Sequence, residues 1–315
     1  MLTLTARFMP AHTTMQASSE SGREALPRVL AGAVLISFAA VFVALSGVAS
    51  APAAFYRLIV GSVALLGLAV LRREKLRLEP RFVAYVLLAG VSFTADLITW
   101  HLSIYRVGPG IATLLPNFQV VLMTLAGWLI WRERLTPKIA VAIGLAVVGL
   151  VVLLAAAPQS GHVRFMAGIV YGLGAAVAYT AYLLFLRLAG GAASREAPAF
   201  FIGFVTLVAA AGALGWILIR GDSLAVPFGM AWFWLACYGI GCQALGWFLI
   251  STGLPRVPAA LGGLLLLLQP TLTFGWDHLI FGRRFTLLEL AGAALALLGL
   301  YLGLRWRTVR RAGAA

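Results

Sequence analysis

Long apolar stretches, separated by short basic or glycine- and proline-containing segments, fill most of this chain. A membrane-spanning helix needs about 20 apolar residues, because the hydrocarbon layer is about 30 Å thick and each helical residue rises about 1.5 Å. Cutting the chain at its charges, prolines and glycine clusters leaves ten stretches of this kind. They cover residues 27–48, 52–71, 81–104, 109–131, 137–156, 164–188, 197–219, 229–251, 257–281 and 285–305. The pattern predicts an all-α integral membrane protein with ten transmembrane helices.

The second half of the chain is a diverged copy of the first, at a spacing of 150 residues. The matching pairs are Gln119 and Gln269, Ile130 and Ile280, Arg134 and Arg284, Thr136 and Thr286, and Gly149 and Gly299. Five helices per copy is an odd number, so the second copy must enter the membrane inverted. Many secondary transporters are built from inverted repeats, with the substrate site between the two halves near the membrane midplane.

These patterns divide the chain into four parts. Residues 1–26 are polar and contain no apolar core, so they form neither a signal peptide nor a span. We expect a disordered cytoplasmic tail over 1–26, a first five-helix repeat over 27–156, a second, inverted repeat over 164–305, and a cytoplasmic tail over 306–315.

The composition supports a membrane location. Apolar residues make up 62% of the chain and charged residues 11%, whereas a soluble domain is about 45–50% apolar and about 25% charged. The net charge of +14 does not indicate nucleic acid, because the basic residues lie at helix ends rather than in a patch with interleaved aromatics. We expect a lipid bilayer and a small-molecule substrate as partners, no nucleic acid, and a monomer or homodimer.

The basic residues also predict the orientation, since Lys and Arg are retained on the cytoplasmic side. With the N-terminus inside, 18 of the 24 basic residues fall in cytoplasmic segments. The six assigned to the outer side are Arg57, Arg106, Arg164, Arg220, Arg283 and Arg284. This split predicts a multi-pass protein of the inner (plasma) membrane with both termini in the cytoplasm.

Helix 4 and its exit carry the most specific family resemblance. The segment reads Ala112-Thr-Leu-Leu-Pro-Asn-Phe-Gln119 and closes with Gly127-Trp-Leu-Ile-Trp-Arg-Glu-Arg-Leu-Thr136. Together with Arg57 near the start of helix 2, it resembles the EamA-type branch of the drug/metabolite transporter superfamily, over residues 27–305. The second copy departs from the pattern, because Arg283 stands in the place of Glu133.

This resemblance implies a secondary transporter of small organic metabolites that works by alternating access around a midplane cavity. The low polarity and the many aromatics are most similar to exporters of aromatic or bulky apolar amino acids. Efflux of drugs or nucleobase-like metabolites is the alternative within transport. A non-transporting membrane scaffold or an enzyme is the alternative from another class. The sequence has no His/Glu/Cys cluster with metal-ligand spacing and no Gly-x-Ser-x-Gly motif, so we expect no catalytic residues, no metal and no cofactor.

Polar side chains at membrane depth indicate where a substrate binds, because an ionised group there costs about 2.5–3.5 kcal/mol on insertion scales unless it faces a cavity or a partner. Helix 3 carries Asp96, Trp100 and His101, and helix 8 carries Gln243 and Trp247. In each helix the polar residue lies four positions before its Trp, so both point to one helix face. We expect these two faces to meet across the pseudo-two-fold axis.

A second group of polar residues lies beside prolines. Asn117 and Gln119 follow Pro116, and Gln269 precedes Pro270. Proline removes a backbone donor and frees a carbonyl one turn earlier, which in lipid must be paired or must line a cavity. The two breaks therefore indicate a binding site, or else kinks that serve packing only.

Asp96 has two interpretations. It is a proton or cation carrier or the partner of a substrate ammonium, or it is a structural group that hydrogen-bonds Thr94, Thr99 or His101. Asp277, nearer the membrane surface, is the second candidate for coupling. Tyr179 joins the two Trp residues as part of an apolar wall. The candidate substrate-binding residues are Asp96, Trp100, His101, Asn117, Gln119, Tyr179, Gln243, Trp247 and Gln269.

Overall fold

The structure is a computed structural model that describes residues 25–75, 79–131, 136–156, 162–190, 197–227, 229–257 and 259–312. Within these ranges the chain forms helices joined by short connections. The helices are α1 (Ala25–Ser46), α2 (Ser50–Leu71), α3 (Pro80–Leu114), α4 (Gln119–Trp131), α5 (Pro137–Ala155), α6 (His162–Gly190), α7 (Pro198–Arg220), α8 (Met230–Gly253), α9 (Ala259–Phe281) and α10 (Leu287–Ala312). Most of the predicted N-terminal tail, and Glu133 of the helix-4 exit, lie outside the described residues. The last helix continues past the end predicted at 305.

In the described part of the chain, seven helical segments are long and apolar enough to cross a membrane. One of them, Pro80–Ala126, contains the third predicted span and most of the fourth, and α10 contributes only a shorter apolar part, Leu287–Gly303. The chain is therefore an all-helical, multi-pass membrane protein. Length and composition do not confirm the predicted count of ten spans.

The third and fourth predicted spans meet at a single residue instead of a loop. Gly108 has φ 83° and ψ 164°, and helical backbone continues on both sides of it. A positive φ of this size is open to glycine and strained for other residues. Further along, Pro116 lies in a 3₁₀ turn, Leu115–Phe118, that separates α3 from α4. The proline of the second repeat, Pro270, lies inside α9, which is helical on both sides of it, so the predicted break in the second repeat is not a break in secondary structure.

The fifth helices of the two repeats pack against each other with their backbones in contact. A Cβ added to Gly149 would lie 2.7 Å from the carbonyl oxygen of Gly292 and 2.8 Å from Cα of Ala296. A Cβ on Gly299 would lie 2.7 Å from the oxygen of Ala142 and 2.8 Å from Cα of Ala146. The two contacts exchange when 150 is added to the residue number in the first repeat and subtracted from that in the second, as expected for a two-fold relation. Their order along the chain makes α5 and α10 antiparallel.

The first helix of each repeat packs closely on the third helix of the other. In α6, a Cβ on Gly172 would lie 2.8 Å from Cβ of Leu115 and 3.0 Å from Oγ of Ser103. At the equivalent contact, a Cβ on Gly32 of α1 would lie 2.8 Å from the carbonyl oxygen of Gly246 in α8. Small residues allow membrane helices to approach this closely. Each half therefore packs its first helix against the third helix of the other half, and residues of both repeats line the space between these helices.

The backbone contact between α5 and α10 yields a matched pair of substitutions. We expect Gly149→Ala to lower the free energy of unfolding by about 1–3 kcal/mol, because backbone atoms cannot move aside for the added methyl group. In the same helix, a Cβ on Gly144 would have no neighbour within 4 Å, so Gly144→Ala should leave stability unchanged or slightly higher. Thermal unfolding of the purified variants in detergent measures both. Equal melting temperatures would contradict the α5–α10 contact.

Candidate functional site

A central cavity of about 240 Å³ lies between helices of both repeats. Its wall comes from α1, α2, α3, α4, α6, α8 and α9, from the 3₁₀ turn before α4, and from a second 3₁₀ turn, Leu254–Arg256, before α9. The lining residues are Ile36, Ala39, Arg57, Phe93, Asp96, Leu97, Trp100, Thr113, Pro116, Asn117, Gln119, Tyr179, Leu183, Trp247, Ile250, Leu254, Leu266 and Gln269. The cavity is thus mostly apolar, with a few polar groups, as small-molecule sites usually are.

Seven of the nine candidate residues line this cavity. They are Asp96, Trp100, Asn117, Gln119, Tyr179, Trp247 and Gln269. The amides of Gln119 and Gln269, which the repeat relates to each other, therefore face one space. Asn117 donates from Nδ2 to the carbonyl oxygen of Thr113 at 2.8 Å, which satisfies one backbone acceptor near the 3₁₀ turn.

Aromatic rings form a large part of the wall. Phe93 stacks on Tyr182 with ring centroids 4.6 Å apart, and Tyr182 stacks on Tyr179 at 5.7 Å. Trp100 and Trp247 come from the third helix of each repeat and border the same cavity. Stacked rings of this kind give a wall that matches a flat or bulky apolar group.

Arg57 is the functional candidate that the sequence analysis missed. It was assigned to the outer side from the charge pattern, yet its side chain is only 3% exposed and lines the cavity. Its Nε donates to Oε1 of Gln243 at 2.7 Å, and its Nη1 donates to the hydroxyl of Tyr238 at 2.7 Å. The sequence did contain a signal for this role, because Arg57 lies inside a predicted apolar span rather than in a connection between spans.

His101 and Gln243 were predicted to face the substrate, but they lie behind Arg57 and do not line the cavity. The ring nitrogens of His101 pair with the carbonyl oxygen of Ser50 at 2.9 Å and the hydroxyl of Tyr238 at 2.8 Å. Besides Arg57, Gln243 contacts Thr206, to whose hydroxyl it donates at 3.2 Å. Both side chains are fully buried.

Gln243 lies in a π-helical segment of α8. Residues Cys237–Gly246 form i→i+5 hydrogen bonds, and Trp247 is the first residue of the α-helical part that follows. Of these two side chains only that of Trp247 lines the cavity, whereas Gln243 is bound to Arg57 and Thr206. π-helical turns of this kind are found often at functional sites.

Asp96 faces the cavity and is 6% exposed. Neither Thr94 nor Thr99, which could have bound its carboxyl group, does so. Thr94 donates to the backbone oxygens of Gly90 and Ala209. Thr99 donates to the backbone oxygens of Ala95 and Asp96. Within the described residues, no hydrogen bond or ion pair reaches the Asp96 carboxylate. Its carboxyl group is therefore available to a molecule in the cavity.

Three polar atoms on the cavity-lining residues are buried without a hydrogen-bond partner in the described structure. They are Nε1 of Trp100, Nε1 of Trp247 and Oγ1 of Thr113. A buried donor left unpaired costs about 1–3 kcal/mol. Three polar groups without partners among the described residues therefore lie in the walls of one cavity.

A separate polar cluster holds the break at Gly108. Asp277 accepts from the backbone N–H of Gly110 at 2.9 Å and lies 3.8 Å from Arg283, which donates to the carbonyl oxygen of Val107. Arg283 also pairs with Glu289 at 3.3 Å. Asp277 is thus buried and paired, not wetted at the membrane surface, and the cluster joins α3 of one repeat to α9 and α10 of the other.

The described residues contain no group of three or more His, Cys, Asp or Glu side chains that could hold a metal ion. Cys237 and Cys242 lie in one helix and form no disulfide bond. Neither a metal centre nor a disulfide therefore contributes to the cavity in the part of the chain that the structure describes.

The fold and the cavity define a membrane protein of two helical repeats around a central binding space. The model of the EamA-like transporter family matches residues 26–155 and again residues 166–305, so the chain belongs to this family, which consists of transporters. A solved crystal structure that is 20% identical aligns over 89% of this chain and 98% of its own, with a TM-score of 0.62. At that identity the likeness shows a shared fold alone. No curated protein matches the chain.

Two buried threonines of α3 offer a matched test of the unpaired donors. Thr94 donates to the carbonyl oxygen of Ala209 in α7 at 2.8 Å, so Thr94→Val should lower the free energy of unfolding by about 0.5–1.5 kcal/mol. Thr113 loses no hydrogen bond on the same change, so Thr113→Val should keep or raise stability and weaken substrate binding. Melting temperatures with and without substrate separate the two effects. A larger loss of stability at Thr113 than at Thr94 would contradict this assignment.

Proposed function

We propose that this protein is a secondary transporter that exports aromatic or bulky apolar amino acids by alternating access. The observation that carries the proposal is the central cavity, which both repeats line with aromatic walls and a few polar groups. A protein that only acted as a scaffold would need no such space and would gain stability from filling it.

The size of the cavity supports a small metabolite over a large drug. Its volume of about 240 Å³ is below the range of about 300–1,000 Å³ that is usual for sites of drug-sized molecules. The rings of Phe93, Trp100, Tyr179 and Trp247 would contact an apolar side chain. The amides of Gln119 and Gln269 can both donate and accept, which suits the carboxylate and ammonium groups of an amino acid.

The repeat geometry supports the inverted arrangement of ten spans. The antiparallel contact of α5 with α10 fits two copies that cross the membrane in opposite senses. In such transporters, one half rocks against the other and the central site opens to each side in turn. We infer that the protein lies in the inner membrane with both termini in the cytoplasm, and that it acts as a monomer or homodimer.

Uptake of labelled phenylalanine into proteoliposomes tests the function. The wild-type protein should move phenylalanine faster than protein-free vesicles do. Trp100→Ala and Trp247→Ala should each reduce this transport at least about fivefold, because a truncated ring removes wall contacts worth about 1–3 kcal/mol. Alanine and a nucleobase, tested in parallel, should move more slowly than phenylalanine in the wild-type protein.

Trp216→Ala is the matched control, since Trp216 lies on α7, away from the cavity lining, and is 46% exposed. It should transport like the wild type. If the nucleobase moves and phenylalanine does not, the substrate class is wrong. If the folded wild-type protein moves none of the compounds, their transport is contradicted.

The topology has its own test. A reporter enzyme that is active only in the periplasm, fused after Ala315, should be inactive in cells, because most Lys and Arg residues fall in segments assigned to the cytoplasm. A cytoplasm-active reporter at the same position should give full signal and serves as the control for expression. The reverse pattern would contradict an even number of spans with the N-terminus inside.

A further inference from the structure

Arg57 is held in place by neutral groups alone. Its Nε and Nη1 donate to Gln243 and Tyr238, both at 2.7 Å, and neither partner carries a negative charge. No carboxylate oxygen of the described residues lies within 4.0 Å of its guanidinium group. A buried charge without a counter-charge is unfavourable in a medium of low dielectric.

The guanidinium group also has capacity for another acceptor. The side chain of Arg57 is only 3% exposed, and it lines the cavity. Its Nη2 has no hydrogen-bond partner among the described residues. An arginine offers five N–H donors in a rigid fork, which suits the two oxygens of a carboxylate. The protein uses two of these donors and leaves others for a molecule in the cavity.

We propose that Arg57 binds the carboxylate of the substrate and that Asp96, on the same cavity, binds its ammonium group. This assignment rests on the function proposed above and deepens it. Arg57 is a cation and Asp96 is an acid, and no oxygen of Asp96 lies within 4.0 Å of the guanidinium nitrogens, so each group has room to bind one end of a zwitterion. An α-amino acid presents both ends on one small head, with its side chain toward the aromatic wall.

The surroundings of Arg57 fix its position before a substrate binds. The guanidinium carbon lies 4.6 Å from the ring centroid of Tyr238 and 5.9 Å from those of Phe93 and Trp100. Tyr238 is in turn held by His101, which is anchored on the carbonyl oxygen of Ser50. His101, Gln243 and Tyr238 are therefore positioning residues. A group fixed in advance loses little conformational entropy on binding.

A set of three ligands tests the assignment in the purified full-length protein, by isothermal titration calorimetry in detergent. Phenylalanine has both charged groups, phenethylamine lacks the carboxylate, and 3-phenylpropionate lacks the ammonium group. The wild-type protein should bind phenylalanine at least about tenfold more tightly than either analogue, because each analogue leaves one buried charge unpaired.

The decisive quantity is the ratio of the affinities for phenylalanine and phenethylamine. Arg57→Gln should bring this ratio close to one by weakening phenylalanine binding and leaving phenethylamine binding unchanged. Asp96→Asn should do the same for the ratio of phenylalanine to 3-phenylpropionate. Arg106→Gln is the matched control, because Arg106 donates to Leu102 and does not line the cavity. It should leave both ratios unchanged.

Arg57→Lys is the second variant if Arg57→Gln does not fold. Lysine keeps the charge and loses the fork, so the phenylalanine to phenethylamine ratio should fall at least about threefold. An unchanged ratio in a folded Arg57 variant, with phenylalanine still transported, overturns the role of Arg57 and leaves the proposed function standing. A wild-type protein that neither binds nor transports phenylalanine overturns both.

Discussion

A guanidinium group inside an apolar helix bundle must be paired, and the centre of this protein is organised around that requirement at Arg57. The arginine belongs to the first repeat, whereas its partners Gln243 and Tyr238 belong to the second. His101 then ties Tyr238 to the backbone at Ser50. Removal of one member would leave buried polar groups unpaired, at about 1–3 kcal/mol each. The network therefore joins the two halves at the place where the cavity lies.

The scaffold around this centre could largely be predicted from the sequence, because two strong periodic signals specify it. Apolar stretches of membrane length predicted the helices, and the 150-residue spacing of matching residues predicted the repeat. The same spacing appears as the paired contacts of Gly149 with Ala296 and Gly299 with Ala146. The break at Gly108 was placed in a predicted loop, since sequence patterns do not distinguish a short loop from one glycine with positive φ. Pro116 and Pro270 look alike in sequence and differ in structure because proline permits a kink without requiring a break.

Most of the predicted residues line the cavity, whereas His101 and Gln243 do not. Trp100 and Trp247 were placed on a shared space by helical spacing and by the repeat, and both border it. The position of Gln243 could not be derived, because its side chain binds Arg57 and Thr206 on other helices, and spacing within one helix does not predict such contacts. Arg57 was missed for a different reason. The rule that places basic residues at membrane surfaces describes averages over loops, and an arginine bound by side chains from another helix departs from it.

The two repeats agree where they support each other and differ where a substrate would bind. The α5–α10 contact is nearly symmetric, since Gly149 and Gly299 contact equivalent positions on the opposite helix. In contrast, α7, the counterpart of α2, has no charged residue before Arg220, so Arg57 has no equivalent. Asp96 likewise aligns with the neutral Gln243. A two-fold symmetric site would offer equal groups to both ends of a molecule, whereas an amino-acid head has one positive and one negative end. If the protein carries amino acids as proposed, divergence at these positions suits a largely symmetric scaffold to an asymmetric substrate.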